Sequence, residues 1–321
     1  MRIEHILQRV RPGRAIQGIA AALLPFEPDG RIAVDAFQRR LQATHAAGLT
    51  NAVNMDTGYV NYLTLEERQQ VLKWAREAVG PSAPLVAGAY IEGISGDVIT
   101  QYRGEMDRIV AYGATPILFQ SSRLHGLAAS DKTAVYRETC RSFPAVLAFE
   151  LSPVFAPNGE IFDDDTFRGL MDIPELKGMK HSSLDRLLEL RRLELRDAHR
   201  PDFRIYTGND LGINMIEYGS DYLLGLATLA PEQFAERDRL WSAGDARYYA
   251  LSDALQHLGN VAFRAPIPAY KHSAAVFLHL CGKIPSSRTH PESPERPAWE
   301  AALMQDCALR LTFGKRPLPR G

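Results

Sequence analysis

The sequence predicts an α/β fold: a (β/α)8 TIM barrel with a C-terminal helical appendage. Three observations carry this. Short apolar runs alternate eight times with stretches of helical period, the pattern of a parallel sheet wrapped by helices. The runs are apolar throughout, as expected of strands buried on both faces. The first run ends Leu23-Leu24-Pro25-Phe26, without the glycine-rich turn that usually follows the first strand of an open doubly wound sheet.

The elements follow in order. Strands are expected at Ile19–Leu24, Ala52–Met55, Leu85–Ala89, Thr115–Phe119, Ala145–Phe149, Gly178–Lys180, Phe203–Thr207 and Tyr222–Leu226. Helices are expected at Val34–Ala47, Leu65–Val79, Asp97–Tyr112, Lys132–Ser142, Asp165–Met171, Ser183–Ala198 and Leu211–Tyr218. Thr64 and Glu67 form a capping box ahead of the second helix. Gly48 and Gly113 stand where helices should stop. Residues 1–230 are expected to form the barrel, and 231–321 a helical segment packed on it. Ser286 to Pro297 reads as a Pro/Ser/Arg-rich loop, and Gly314–Gly321 as a loose terminus or docking arm.

The chain has 321 residues, 45% hydrophobic and 23% charged, with a net charge of −1. That balance offers no basic field for nucleic acid or an anionic membrane. No apolar run is long enough to cross a bilayer, and Met1-Arg2-Ile3-Glu4-His5 lacks the apolar core of a secretory signal. A cytoplasmic location is expected, with Cys140, Cys281 and Cys307 as free thiols. His5, His125, His181, His257, His272, His279 and His290 lack ligand spacing, so no metal and no other cofactor is expected.

Lys180 is the first candidate for chemistry; on position alone an ordinary lysine leaving a strand for solvent is the alternative. The chain has seven lysines against thirty arginines, so a position needing only charge would have been filled by Arg. A lysine at the end of a buried strand points to the amine itself, which can attack a ketone where a guanidinium cannot. In a barrel, chemistry sits at the C-terminal ends of the strands. The neighbours there are Met55-Asp56-Thr57-Gly58-Tyr59, Gln120-Ser121-Ser122-Arg123, Phe149-Glu150, Thr207-Gly208-Asn209-Asp210 and Leu223-Leu224-Gly225.

These fragments, in this order, resemble the dihydrodipicolinate synthase / N-acetylneuraminate lyase family of class I aldolases from about Gly18 to about Pro291. Gly18 to Phe26 is similar to the opening G-x-x-x-A-x-x-T-P-F, with Leu24 for Thr. Met55 to Tyr59, with Leu63-Thr64 and Glu67-Arg68, is similar to G-T-T-G-E…L-T-x-x-E-R. Gly178-Met179-Lys180 matches the G-x-K of the Schiff-base lysine, and Gly208-Asn209-Asp210 resembles G-D-D. Tyr218 to Leu224, with Thr228 and Pro231, stands where G-G-x-G-x-I-S…N-x-x-P would be. Pro266-Ile267-Pro268 and Lys271 resemble P-I-P-x-K.

The resemblance implies that Lys180 condenses with pyruvate or a related 2-oxo acid, forming an iminium that accepts electrons as a carbon–carbon bond forms or breaks. It implies that Thr57 and Gly58 bind the substrate carboxylate, and that Gly208, Leu223 and Phe149 line the keto acid. It also implies a homo-oligomer, dimer or tetramer, with a small-molecule substrate as the only other partner.

The departures from the family pattern matter as much. The strand-five tyrosine that relays protons is replaced by Phe149, which cannot transfer one. The first Thr of G-T-T-G-E is replaced by Asp56, which sets a carboxylate beside the expected substrate carboxylate. The aromatic pair after strand four becomes Ser122-Arg123-Leu124, and Val154 stands where an Arg would bind a second carboxylate. True dihydrodipicolinate synthesis is therefore not expected.

Asp56 and Glu150 are candidate general bases, with Tyr59, Tyr62, Tyr206 and His181 nearby. Each also has a packing or capping role open to it: His181 and Glu150 alternate away from the barrel interior, and Asp56 can cap its turn. Asp56 and Tyr59 are favoured as site-lining. Arg123 binds an anionic substrate tail, reaches a neighbouring subunit, or is an ordinary surface arginine. The expected activity is a Schiff-base lyase or synthase acting on a hydroxylated or sugar-derived 2-oxo acid. A dehydratase or decarboxylase using the same imine is one alternative, and a non-catalytic 2-oxo-acid-binding barrel is another.

Overall fold

The computed structural model describes residues 6–313; the Gly314–Gly321 tail and the Met1–His5 start lie outside the described residues. Eight parallel strands close into a barrel in chain order: β1 (Gly18–Ala21), β2 (Thr50–Val53), β3 (Leu85–Ala89), β4 (Thr115–Leu118), β5 (Val146–Leu151), β6 (Leu176–Ser182), β7 (Arg204–Thr207) and β8 (Asp221–Leu224). β1 pairs with both β2 and β8, which completes the closure.

Helices follow the strands: α1 (Val34–Ala46), α2 (Leu65–Val79), α3 (Val98–Ala111), α4 (Ala129–Cys140), α5 (Asp164–Met171), α6 (Arg186–His199) and, after β8, α7 (Pro231–Ser242). α2 begins with the expected capping box, Thr64 accepting from the Glu67 N–H and Glu67 from the Thr64 N–H. Between β7 and β8 the expected helix is a tight 3₁₀ turn, Ile213–Tyr218. It lies between Gly212 and Gly219, the latter at φ 111°, and six residues leave little room for regular α-helix. α7 lies on β1 and α1; α8 (Arg247–Ala262) packs on α7, and α10 (Ala301–Phe313) packs on both α8 and α9 (Tyr270–Leu280).

The period of two along each strand sorts the side chains into two clusters. Ile19, Ala21, Leu147, Phe149, Leu151 and Leu223 face the barrel interior, while Ala20, Ala148, Met179, Tyr222 and Leu224 pack outward under the helices. β6 is longer than the sequence suggested. It runs on to Ser182 and pairs with both neighbours, Lys180 opposite Phe149 on one side and Tyr206 on the other. Lys180 is therefore two residues inside the strand end, not at its mouth. Among the described residues no helix is long and apolar enough to cross a membrane.

Candidate active site

Lys180 is 6% exposed, and its ammonium stands 4.5 Å from the centroid of the Phe149 ring. That ring in turn meets Phe119 edge-on at 4.9 Å. Among the described residues the ammonium has no ion-pair partner within contact distance. Burial lowers the Lys180 amine from 10.5 to about 8, and the nearby charges of Asp210 and Asp56 limit the fall. An amine with that titration point is neutral often enough at ordinary pH to act as a nucleophile.

Gly208 gives the lysine its room. A methyl at Gly208 would lie 2.7 Å from Lys180 Cε and 2.0 Å from Ser182 Oγ. The next inward position on β6, Ser182, is 1% exposed, and its hydroxyl has no hydrogen-bond partner among the described residues.

Asp210 follows two residues after Gly208 and is 4% exposed. Its Oδ1 accepts the Leu226 N–H at 2.7 Å. Burial raises its carboxyl to about 7, against the opposing pull of the Leu226 N–H and of Lys180.

The loop after β2 turns through a 3₁₀ segment, Asp56–Gly58. Lys271 Nζ meets Asp56 Oδ1 at 3.0 Å, and the Tyr270 hydroxyl donates to Asp56 Oδ2 at 2.8 Å and meets Thr57 Oγ1 at 2.9 Å. Tyr270 is held by stacking on Phe263, ring centroids 4.3 Å apart. The clash of anions expected at Asp56 is thus answered by a cation from α9. Gly58 lies under Ala22, whose carbonyl would be 3.1 Å from an added methyl. Leu223 faces the interior from β8.

Other expected residues stand elsewhere. Tyr59, at φ 61°, packs with Phe26 and His290 in the outer cluster, and its buried hydroxyl has no hydrogen-bond partner among the described residues. Tyr62 stacks on His290 at 5.0 Å. Tyr206 hydrogen-bonds Gln17 at 2.8 Å. Arg123 donates to the Gly96 carbonyl at 2.9 Å. Glu150 and His181 form a buried network outside the barrel wall. His181 bonds both Glu150 and Ser183, and Arg192 donates to Glu150 at 2.9 and 3.1 Å. The structure brings Lys180, Asp56, Thr57, Phe149, Gly208 and Leu223 to the interior end of the barrel, and sets Tyr59 and Arg123 in its surrounding loops.

Four groups are not among the sequence candidates: Asp210, Tyr270, Lys271 and Ser182. Asp210 and Lys271 stood inside recognised fragments, but nothing in the sequence shows that α9 reaches across to the β2 loop. Among the described residues no three His, Cys, Asp or Glu side chains group so as to hold a metal ion.

No family model matches the sequence. The chain is 23% identical over 224 residues to 4-hydroxy-tetrahydrodipicolinate synthase of Kosmotoga olearia, covering 68% of this chain and 74% of that protein. Its fold matches dihydrodipicolinate synthase from Thermotoga maritima with a TM-score of 0.78 at 16% identity, covering 94% of this chain and 100% of that one. It also matches YagE of E. coli K12, a protein of the dihydrodipicolinic acid synthase family solved with pyruvate, with a TM-score of 0.78 at 17% identity, covering 92% and 98%. The resemblance read from the motifs therefore holds in sequence over two thirds of the chain and in fold over nearly all of it. The identities mark this chain as a diverged relative.

Proposed function

We propose that this diverged relative of the dihydrodipicolinate synthases is a Schiff-base lyase or synthase, joining or cleaving a carbon–carbon bond next to the carbonyl of a 2-oxo acid. One observation carries the reading: a lysine amine buried inside the barrel against the Phe149 ring, at the position of the G-x-K motif, where burial lowers its titration. The pyruvate bound in YagE supports a keto acid as the partner of that amine. The substrate carboxylate is assigned to Thr57 and the backbone of Gly58, where Lys271 neutralises Asp56 beneath it.

The Ser182 hydroxyl, one inward position beyond Lys180 and without a partner among the described residues, supports a hydroxylated substrate, since a buried donor gains most where the ligand supplies its partner. Phe149 offers no hydroxyl for the tyrosine relay that dihydrodipicolinate synthesis uses, so a different 2-oxo acid reaction is proposed.

The test is reductive trapping. The protein is incubated with pyruvate and a panel of hydroxylated 2-oxo acids under borohydride and weighed intact. A single adduct mapping to Lys180, lost in Lys180→Arg, is expected. Absence of any adduct across the panel would sink the reading. Product analysis without borohydride then separates a lyase from a barrel that only binds.

A further inference from the structure

With a phenyl ring where a relay hydroxyl would stand, some other group must move the protons that an imine requires. We infer that Asp210 is that group, and that Asp56 is not. This inference rests on the Schiff-base reading of Lys180.

The two carboxylates differ in how their oxygens are used. Asp56 spends both: Oδ1 on Lys271 at 3.0 Å and Oδ2 on Tyr270 at 2.8 Å. A proton arriving on either oxygen would displace a buried donor, and leaving a buried charge unpaired is costly. Asp56 is an anchor that ties the β2 loop to α9. Asp210 accepts the Leu226 N–H on Oδ1, at 2.7 Å, and among the described residues no side chain forms a hydrogen bond or ion pair with its carboxylate. Its loop backs the lysine, because Gly208, two residues earlier, lies against Lys180 Cε.

Electrostatics agrees. The charged groups acting around Asp210 are Lys180 from β6 and Asp56 from the β2 loop, the latter paired with Lys271 and bonded to Tyr270 from α9. Lys180 and Asp210 titrate at about 8 and about 7. Each feels the other's charge without direct contact, so their protonation is coupled near neutrality, and the pair, not either residue, sets the observed steps.

The chemistry balances. In the tautomer with neutral amine and neutral acid, the amine nitrogen attacks C2, the N–C bond forms and the carbonyl π electrons pass to oxygen. One amine proton moves to that oxygen, giving a neutral carbinolamine. Asp210 then gives its proton to the hydroxyl, water leaves, and the products are an iminium cation and the Asp210 carboxylate. That carboxylate next removes a proton from C3, and the C–H electrons move into the iminium to give the enamine. One residue thus serves as acid for dehydration and base for enamine formation.

The test needs no knowledge of the second substrate. Pyruvate in D2O with the full chain loses its methyl proton signal by NMR as the enamine forms and reprotonates. Borohydride trapping reports the imine separately. Asp210→Asn is expected to form the Lys180 adduct more slowly but still to completion, while slowing methyl exchange about 100-fold. Asp210→Glu should recover part of the exchange.

For the wild type, the trapping rate should peak between about pH 7 and about pH 8, where the intermediate protonation state of the coupled pair is populated. In Asp210→Asn that peak becomes a single limb. It lies below pH 8, because removing a carboxylate that holds the amine up lets it fall further. Exchange within about twofold of wild type in Asp210→Asn, or a wild-type rate that climbs steadily through pH 9, overturns the inference while the Schiff-base reading survives. Loss of exchange in Asp56→Asn with retention in Asp210→Asn overturns it in favour of Asp56. No wild-type adduct with pyruvate or the wider panel overturns both.

Discussion

Lys271 of α9 holds the carboxylate of Asp56 at 3.0 Å, in a buried ion pair that joins a C-terminal helix to the loop after β2. The pair explains how a carboxylate can stand next to the proposed seat of a substrate carboxylate. Its charge is neutralised from the far side, and Tyr270 bonds both Asp56 and its neighbour Thr57. The C-terminal helices are thereby part of the site.

Removing the cation should expose the conflict. Lys271→Met is expected to weaken keto-acid binding on the order of 10- to 100-fold by restoring an unpaired anion beside the ligand. Lys271→Met/Asp56→Asn should recover most of that loss, since no buried charge is then left alone. Titration of pyruvate against trapping rate measures both. A double variant as weak as the single one would refute the neutralising role.

Gly208 is expected to be intolerant of a side chain. Gly208→Ala sets a methyl against Lys180 Cε and Ser182 Oγ at separations no real contact reaches, so the lysine must move. Trapping should slow at least about tenfold, with stability reduced by about 1–3 kcal/mol. Circular dichroism and urea denaturation separate the two effects; unchanged trapping would mean the lysine has slack that the packing does not suggest.

The Phe149 ring faces the Lys180 ammonium at 4.5 Å, which favours the charged amine by roughly 0.5–2 kcal/mol. Phe149→Leu removes that attraction. The amine should therefore titrate lower than about 8, and the basic limb of the trapping profile should move down by a few tenths of a pH unit or more. A limb moving upward would contradict the assignment.

The buried Glu150 network predicts an acid-sensitive fold. Burial alone would raise the Glu150 carboxyl, but His181 and Arg192 outweigh it and hold it at about 2, below the ordinary 4.5. A carboxyl lowered on folding stabilises the native state above its unfolded value. That contribution fades as pH falls from about 4.5 toward about 2. Glu150→Gln leaves Arg192, 1% exposed at its side chain, with a partner lost, and should cost about 3–5 kcal/mol at neutral pH. Its urea midpoint should also vary less than that of the wild type between pH 5 and pH 3.

The sequence by itself determined the barrel, because apolar runs and helical periods are local properties that each strand and helix carries alone. It singled out Lys180 as the candidate nucleophile, through the scarcity of lysine and the order of the fragments around it. It set His181 and Glu150 facing away from the interior by simple alternation, and they do face away. Only the tertiary structure decided the partners. Tyr270 and Lys271 lie more than two hundred residues from Asp56, and no local pattern records that α9 meets the β2 loop. Tyr59 and Arg123, close in sequence to the strand ends, are turned to Phe26 and to the Gly96 carbonyl by backbone conformation and loop packing. The titration of Lys180 and Asp210 depends on burial and on each other's charge. These quantities exist only when the chain is closed around them.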